Sequence, residues 1–372
     1  MSHPKGLYML STIEMWERFS YYSMMAILSL FMVSVLFFTM PFTSEVYGAY
    51  TGLVYLTPLI GGYICDRYLG NRKSIMIGGV MMALGEFTLA LCASLYNPSV
   101  SLASHNFFIF TAQEIFFIIG LLLLILGNGF FKPTISSMIT FLYPEDDERL
   151  DSAFTIFYMG INIGSFIAPL VMGLVVGDGH PELFKWGFLI AGIGLVLGLI
   201  IFSILKNKYL KNPKGEAIGV IPASHEEERA LNEKEIDEAI LKRNDHDEKS
   251  LKKEKEYLKT LNLKEKEKIL DEPLTKVEKE RIAVIFIIAF FAIFFWSAFQ
   301  QAGVSLTFFA EQHVDKVMPV FHIFVPPEWF QSLDPLFIVL FAPIFSLIWP
   351  WLYSKGKEPS IPTKIGIGLL IL

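Results

Sequence analysis

The sequence predicts a polytopic all-α membrane protein. Three observations carry that reading. The chain is 53% hydrophobic and only 18% charged. Its mean hydropathy is +0.48. Apolar runs of about 20 residues, the length that crosses a hydrocarbon layer, recur along it. A soluble chain of this balance would expose more apolar surface than water tolerates. The first apolar segment is too long and too charged for a cleavable signal.

Six spans are expected first, over about 8–38, 46–65, 74–95, 115–142, 153–176 and 183–205. A seventh follows over 283–310 and an eighth over 334–353. A ninth starts near Pro362 and stops at Leu372 with "IGIGLLIL", shorter than a bilayer crossing, so the sequence reads as truncated. The expected organisation is a complete N-terminal six-helix bundle over 1–205 and a charged cytoplasmic helical linker over 206–281. A partial C-terminal bundle over 282–372 then ends after about two helices.

Charge is unevenly placed. Residues 206–281 hold 19 basic and 19 acidic groups, whereas the rest holds 12 basic and 18 acidic, so the net −6 belongs to the membrane part. No strongly basic face exists, which argues against nucleic acid as a partner. Cys65 and Cys92 have neither metal-ligand nor disulfide-framework spacing and read as packing residues. With the N-terminus inside, the inner loops carry Lys5, Arg67, Arg72, Lys73, Lys206, Lys208, Lys211, Lys214, Lys355 and Lys357. The outer loops carry little beyond Lys185 and Lys316. That bias sets a cytoplasmic N-terminus. In the linker, Ser224 and Glu227 have the spacing of a capping box, and opposite charges recur at helical spacing. A solvated connector and a docking site for a partner both fit it.

The first span contains "STIEMWERFSYYSMM". Glu14, Glu17, Arg18, Tyr21 and Tyr22 share one helical face, and that face must point into the bundle. Charges at this depth must be paired or wetted. The three charges sum to −1, and Lys132 in "LGNGFFKPTISSM" of the fourth span is the expected cation that balances them. Two readings stand: a fixed ion-pair network joining helices, or a proton site. The second rests on burial and a neighbouring cation acting on a carboxyl in opposite senses, so that its charge can switch. "GNG" here is no phosphate loop, since it follows a helix and lacks the rest of the fingerprint. Tyr55, Tyr158, Asn162, Trp296, Gln300, Gln301 and Asp334 fall in or at the mouths of other spans. Each could serve as packing glue. Together they describe a cavity lined by tyrosines and amides, suited to a zwitterionic organic solute. No nucleophile–base pair or metal cluster stands outside this stripe, so an enzyme is not expected.

"GYICDRYLGNRK" joins the second and third spans. Its Gly62, Asp66, Arg67, Gly70, Arg72 and Lys73 match the loop 2–3 gating pattern of the major facilitator superfamily. "EMWERFSYY" resembles the E-x-x-E-R-F-x-Y-Y motif of the proton-coupled oligopeptide transporters, a branch of that superfamily. "GNGFFKP", "FTIFYMGINIGS" and "FFWSAFQQAGVSL" are similar to that family's fourth, fifth and seventh helices.

The resemblance implies the major facilitator fold and a monomeric, multi-pass protein of the inner membrane. It implies import of di- and tripeptides with protons, driven by the proton gradient without a cofactor. Glu14, Glu17, Arg18 and Lys132 then match the proton-coupling set. Lys132, Tyr21, Tyr22, Tyr55, Tyr158 and Asn162 match peptide contacts, Trp296 and Gln300 line the seventh helix, and Asp334 falls near the peptide amino end. Two residues depart from the pattern: Met25 stands where relatives carry arginine, and Gln300 where they carry an acid. Those two charges form an ion pair that helps close the family's outer gate. Losing both avoids stranding one buried charge, and leaves outer closure to other contacts or alters coupling. The alternatives are a facilitator of another small organic solute, or a sensor or scaffold of the same fold.

Overall fold

The computed structural model describes residues 3–97, 111–144, 147, 149–177, 180–220, 236–237, 239–241, 243, 248–258, 260–261, 263–270, 273–318 and 323–371. The Ser224/Glu227 capping box expected in the linker lies outside them. The first six long helices are α1 (Lys5–Ser34), α2 (Met40–Ile64), α3 (Asn71–Ser94), α4 (Ala112–Thr140), α5 (Leu150–Val176) and α6 (Phe184–Tyr209). Then come α7 (Glu248–Leu258), α8 (Leu263–Leu270), α9 (Lys276–Phe299), α10 (Ser305–His313), α11 (Leu333–Ser354) and α12 (Ile361–Ile371). Among the described residues, five helical stretches are long and apolar enough to cross a membrane: Asn71–Ser94, Ala112–Thr140, Leu150–Val176, Pro181–Tyr209 and Lys276–His313.

Local chemistry sets the helix ends. Thr39 caps α2, with its hydroxyl accepting from the Phe42 amide at 3.4 Å and a proline in the first turn. Thr111 and Glu114 form a reciprocal capping box at the start of α4. α2 runs into a π turn over Cys65–Leu69, and Gly70 then takes φ +71°, a left-handed value that favours glycine. One expected helix is corrected. The expected span 283–310 falls within the apolar stretch Lys276–His313, but it is not one regular helix: α9 stops at Phe299, and Gln300–Gly303 forms a 3₁₀ turn before α10. Gly303 sits so close under the Tyr47 hydroxyl that any Cβ would overlap it. Gln300 and Gln301 therefore lie on this turn and not on the helix that carries Trp296.

The described chain gathers into two compact units, Met1–Ile221 with Gln300–Glu358, and Pro222–Phe299 with Pro359–Leu372. In the first, α1 packs against α5 and α6, α3 lies between α4 and α6, and α2 lies on α4. The α3–α4 seam is built on facing glycines. A Cβ on Gly78 would stand 2.5 Å from the Gly127 carbonyl oxygen, and one on Gly127 2.7 Å from that of Gly78. Two turns along, Gly85 and Gly120 repeat the arrangement at 3.0 and 3.2 Å. Small residues let helix backbones approach where lipid supplies no hydrophobic drive.

The start of α1, the end of α4 and the end of α6 meet at one end of this unit. The His3 ring bonds the Tyr143 hydroxyl at 2.8 Å, and Gly6 lies against the Tyr209 carbonyl. At the opposite end, a 3₁₀ strap over Pro327–Ser332 lies along α5. The Trp329 indole N–H donates to the Leu170 carbonyl at 3.1 Å, and the Ser332 hydroxyl to that of Phe166 at 3.0 Å. Trp329 and Pro326 fill the space over Gly173, where a Cβ would collide with the indole. Glu328 is buried in the strap, with one carboxyl oxygen lacking a hydrogen bond. Burial pushes its carboxyl up to about 7, with Glu311 adding and Lys316 opposing.

The second unit contains α7, α8, α9 and α12. Thr275 and Glu278 cap α9, the Glu278 amide donating to the Thr275 hydroxyl at 3.2 Å. Arg243 is buried there and pairs with Glu278 at 3.1 Å, while also donating to the Pro273 carbonyl at 3.0 Å. The charged segment is thus anchored to the first turn of the helix that follows it.

Two outcomes follow from these contacts. Gly127→Leu should open the α3–α4 seam at a cost of about 1–3 kcal/mol or more, read as a lowered unfolding temperature in detergent. Gly52→Ala, with nothing within 4 Å of the added methyl, should instead raise stability, by roughly 0.5–1 kcal/mol. The strap titrates with Glu328. Its folded value lies above the ordinary 4.5, so docking is strongest below 4.5 and weakens as pH rises through about 7. The fluorescence difference between the wild type and Trp329→Phe should report that loosening, and Glu328→Gln should flatten it.

Candidate functional site

The charged stripe of α1 is buried inside the bundle. Glu14, Glu17 and Arg18 are 7%, 2% and 7% exposed. Helical spacing puts Arg18 one turn above Glu14 and beside Glu17, so one guanidinium serves both acids. Its Nε lies 3.2 Å from Glu14 Oε1. Its Nη2 donates to Glu17 Oε1 at 2.7 Å, while Nε also meets Glu17 Oε2. The fork engages both oxygens of Glu17, a geometry that only arginine offers. The guanidinium also lies 5.1 Å from the centre of the Tyr21 ring, which packs edge-on against Tyr22.

Lys132 is half-buried on α4, one residue before Pro133. It lies within electrostatic range of Glu14, Glu17 and Arg18. No direct ion pair forms between them among the described residues. Its ammonium sits 3.8 Å over the centre of the Tyr55 ring instead. Lys132, the cation expected to balance the cluster, thus stands near it on an aromatic seat, while Arg18 contacts both carboxylates. The result is a cation held near the cluster and free of it.

The remaining residues divide. Tyr22 lies within electrostatic range of Asp334, which occupies the first turn of α11. Asn162 is buried and turns its amide to the Tyr158 carbonyl of its own helix at 2.8 Å, whereas the Tyr158 ring is exposed. Gln300 is half-buried on the 3₁₀ turn, and that turn packs on α1. Trp296 belongs to the second unit, where it packs edge-on against Phe295 and Phe299.

The α2–α3 motif also divides. Arg72 clasps the end of α6: Nε donates to the Ile218 carbonyl at 2.6 Å, Nη1 to Asn207 Oδ1 at 3.0 Å and Nη2 to the Leu210 carbonyl at 2.7 Å. Arg67 donates to the Tyr63 hydroxyl at 3.2 Å and lies 5.9 Å from the Tyr63 and Tyr68 ring centres. Gly62 rests against Pro133 at ordinary contact distance, while Asp66 and Lys73 are exposed.

Residue-level reasoning missed several polar groups near the stripe. Glu86 of α3 is fully buried, and Tyr47 and Tyr50 of α2 are buried with it, as is Asn128 of α4. The signal for Glu86 was in the sequence: a lone acid inside the apolar run "GEFTLALC". Among the described residues, no group of three or more His, Cys, Asp or Glu is placed to hold a metal ion.

Comparison with known proteins agrees with this geometry. The model of the POT family matches residues 72–372. The chain is similar to "Peptide transporter YePEPT" of Yersinia enterocolitica, at 33% identity over 99% of this chain and 71% of that protein. It is 29% identical to "Dipeptide and tripeptide permease B" of Photorhabdus luminescens, over 100% of this chain and 71% of that one. A crystal structure of a peptide transporter POT with sulfate matches at TM-score 0.71 and 30% identity, covering 100% of this chain and 73% of that one. A POT family transporter with 5-aminolevulinic acid matches at TM-score 0.73 and 28% identity, covering 99% and 74%. The chain is therefore a multi-pass membrane protein of the POT family, the proton-coupled oligopeptide transporters of the major facilitator superfamily, whose members are transporters and not enzymes.

Proposed function

We propose that this protein is a symporter that imports di- and tripeptides across the bacterial inner membrane, driven by protons and without a cofactor. One observation carries the reading: Lys132 is kept over the Tyr55 ring, within electrostatic range of the buried Glu14–Glu17–Arg18 cluster but not paired with it. A peptide carboxylate can engage that ammonium. Its negative charge then competes with Glu14 and Glu17 for the local cations, and protonation of one glutamate restores the balance. Peptide and proton thereby favour each other's binding, the reciprocal coupling that symport requires.

Tyr21, Tyr22, Tyr55, Tyr158 and Asn162 are the proposed wall of the peptide site, with Trp296 and Gln300 from the seventh segment. Asp334 would face the peptide amino end, and its proximity to Tyr22 supports that placement. Arg67, Asp66, Gly62, Gly70, Arg72 and Lys73 would form the inner gate loop. The proposed topology has a cytoplasmic N-terminus, and the His3, Tyr143 and Tyr209 end of the bundle would face inward. The strap over Gly173 would close the outer side, where Met25 and Gln300 supply no ion pair. The organisation 1–205, 206–281 and 282–372 is kept as two helical halves about a cytoplasmic connector, and the working unit is proposed to be a monomer.

A second reading is favoured by one comparison. One similar POT family transporter is in complex with 5-aminolevulinic acid, a non-peptide solute that bears an amine and a carboxylate. A panel of dipeptides competing with labelled substrate in proteoliposomes separates the two readings.

Glu17→Gln should lower gradient-driven peptide uptake by about tenfold or more, as expected when about 1.4 kcal/mol or more of coupling is lost. Downhill exchange of labelled peptide should persist. Equal uptake with the gradient collapsed, together with no effect of Glu17→Gln, would count against symport. Lys132→Met should raise the half-saturating peptide concentration by roughly tenfold, the loss of about 1.4 kcal/mol of charge-assisted binding. A peptide amidated at its C-terminus should show no such difference between wild type and variant.

A further inference from the structure

A second acid lies beside the α1 cluster. Glu86 of α3 is 0% exposed. One of its oxygens accepts from the Ser20 hydroxyl at 3.4 Å, and the other has no hydrogen-bond partner. It lines a small cavity of about 10 Å³ with Glu17, Ser20, Tyr21, Tyr50 and Asn128. Asn128 is 2% exposed, and its Oδ1 is likewise an acceptor without a donor. The space is about what one water needs.

The surrounding charges do not balance Glu86. From α1 it faces Glu17, Ser20 and Tyr21, from α2 Tyr50, from α4 Asn128, and from α6 the uncharged Leu195 and Gly192. Arg18 is taken up by Glu17 and Glu14. A buried carboxylate with no cation costs several kcal/mol. Turning the Asn128 amide over would offer a neutral donor and still leave the charge uncompensated. A proton on Glu86 resolves both problems, since it removes the charge and supplies a donor to a cavity lined by two unsatisfied acceptors.

We propose that Glu86 is a second proton-binding residue of the transport machinery, holding a proton in this conformation and exchanging it with Glu17 through their shared cavity. The inference rests on the symport reading above. The step is a proton transfer alone. Glu86 loses the proton, the Ser20 hydroxyl or one water relays it, and Glu17 takes it up. Glu17 then releases the guanidinium, and Arg18 keeps Glu14 as its partner. Peptide arriving at Lys132 biases the transfer by adding a negative charge near the cluster.

The test is an infrared pH titration of the purified protein, paired with proton and peptide flux in proteoliposomes. In a Glu328→Gln background, which removes the strap acid raised to about 7, the protein should still show the carbonyl stretch of a protonated carboxyl at neutral pH, and adding Glu86→Gln should remove it. The same variant should shift the pH profile of uptake and reduce gradient-driven uptake more than exchange. If Glu86→Gln fails to fold, Glu86→Asp should displace the band and shift the pH profile of uptake. A carboxyl band untouched by either variant, or a wild-type pH profile of uptake in Glu86→Gln, overturns the proposal. Failure of the symport reading is separate: wild-type uptake would ignore the gradient, whatever the infrared band showed.

Discussion

The fork between Arg18 and Glu17 is the constraint on which the rest of the bundle depends. It puts a charged pair at a depth where an unpaired charge costs several kcal/mol. α1 therefore cannot rotate toward lipid, and it becomes the helix that α5 and α6 pack around. The fork also uses up the guanidinium. With Arg18 shared between Glu17 and Glu14, Lys132 has no carboxylate left to claim and settles over Tyr55. A helix-spanning ion pair would have tied α1 to α4 and occupied the ammonium. The aromatic seat holds the cation weakly, within reach of an incoming anion.

Much of the fold was legible because long apolar runs and 3.6-residue periodicity are strong signals. The six helices of the first bundle begin and end within a few residues of their expected bounds, and the largest difference is at the start of α2, which Thr39 caps at Met40 instead of about 46. The break after Phe299 was not legible. "SAFQQAGVSL" contains one glycine, and nothing local shows that a distant tyrosine crowds it. The strap was missed for a related reason: "VPPEWFQS" reads as loop, and only tertiary contact with Gly173 gives its tryptophan a place.

The candidate site was legible in its members more than in its bonds. Glu14, Glu17 and Arg18 share a face by spacing alone, and they do meet. Lys132 was identifiable as a cation out of place, but its partner depended on which acid had already been claimed. Glu86 lacked a periodic companion on its own helix, so only the packing of α3 between α4 and α6 shows that it shares a cavity with Glu17. Met25 and Gln300 were conspicuous as missing charges. Among the described residues where the strap docks, aromatic and backbone contacts stand beside the buried acid Glu328 and the Lys316–Glu311 ion pair.

The Arg72 clasp has a mechanical meaning. One guanidinium joins the loop between α2 and α3 to the chain leaving α6, through Asn207, Leu210 and Ile218. That chain is the covalent entrance to the charged connector. The Arg72 amide adds a bond to the Gly219 carbonyl at 2.9 Å, so the start of α3 and the chain leaving α6 are held together at several points of one residue. A force applied to the connector, by tension or by anything grasping it, is delivered to the first turn of α3. α3 packs there on α4 through the facing glycines, and α4 carries Lys132.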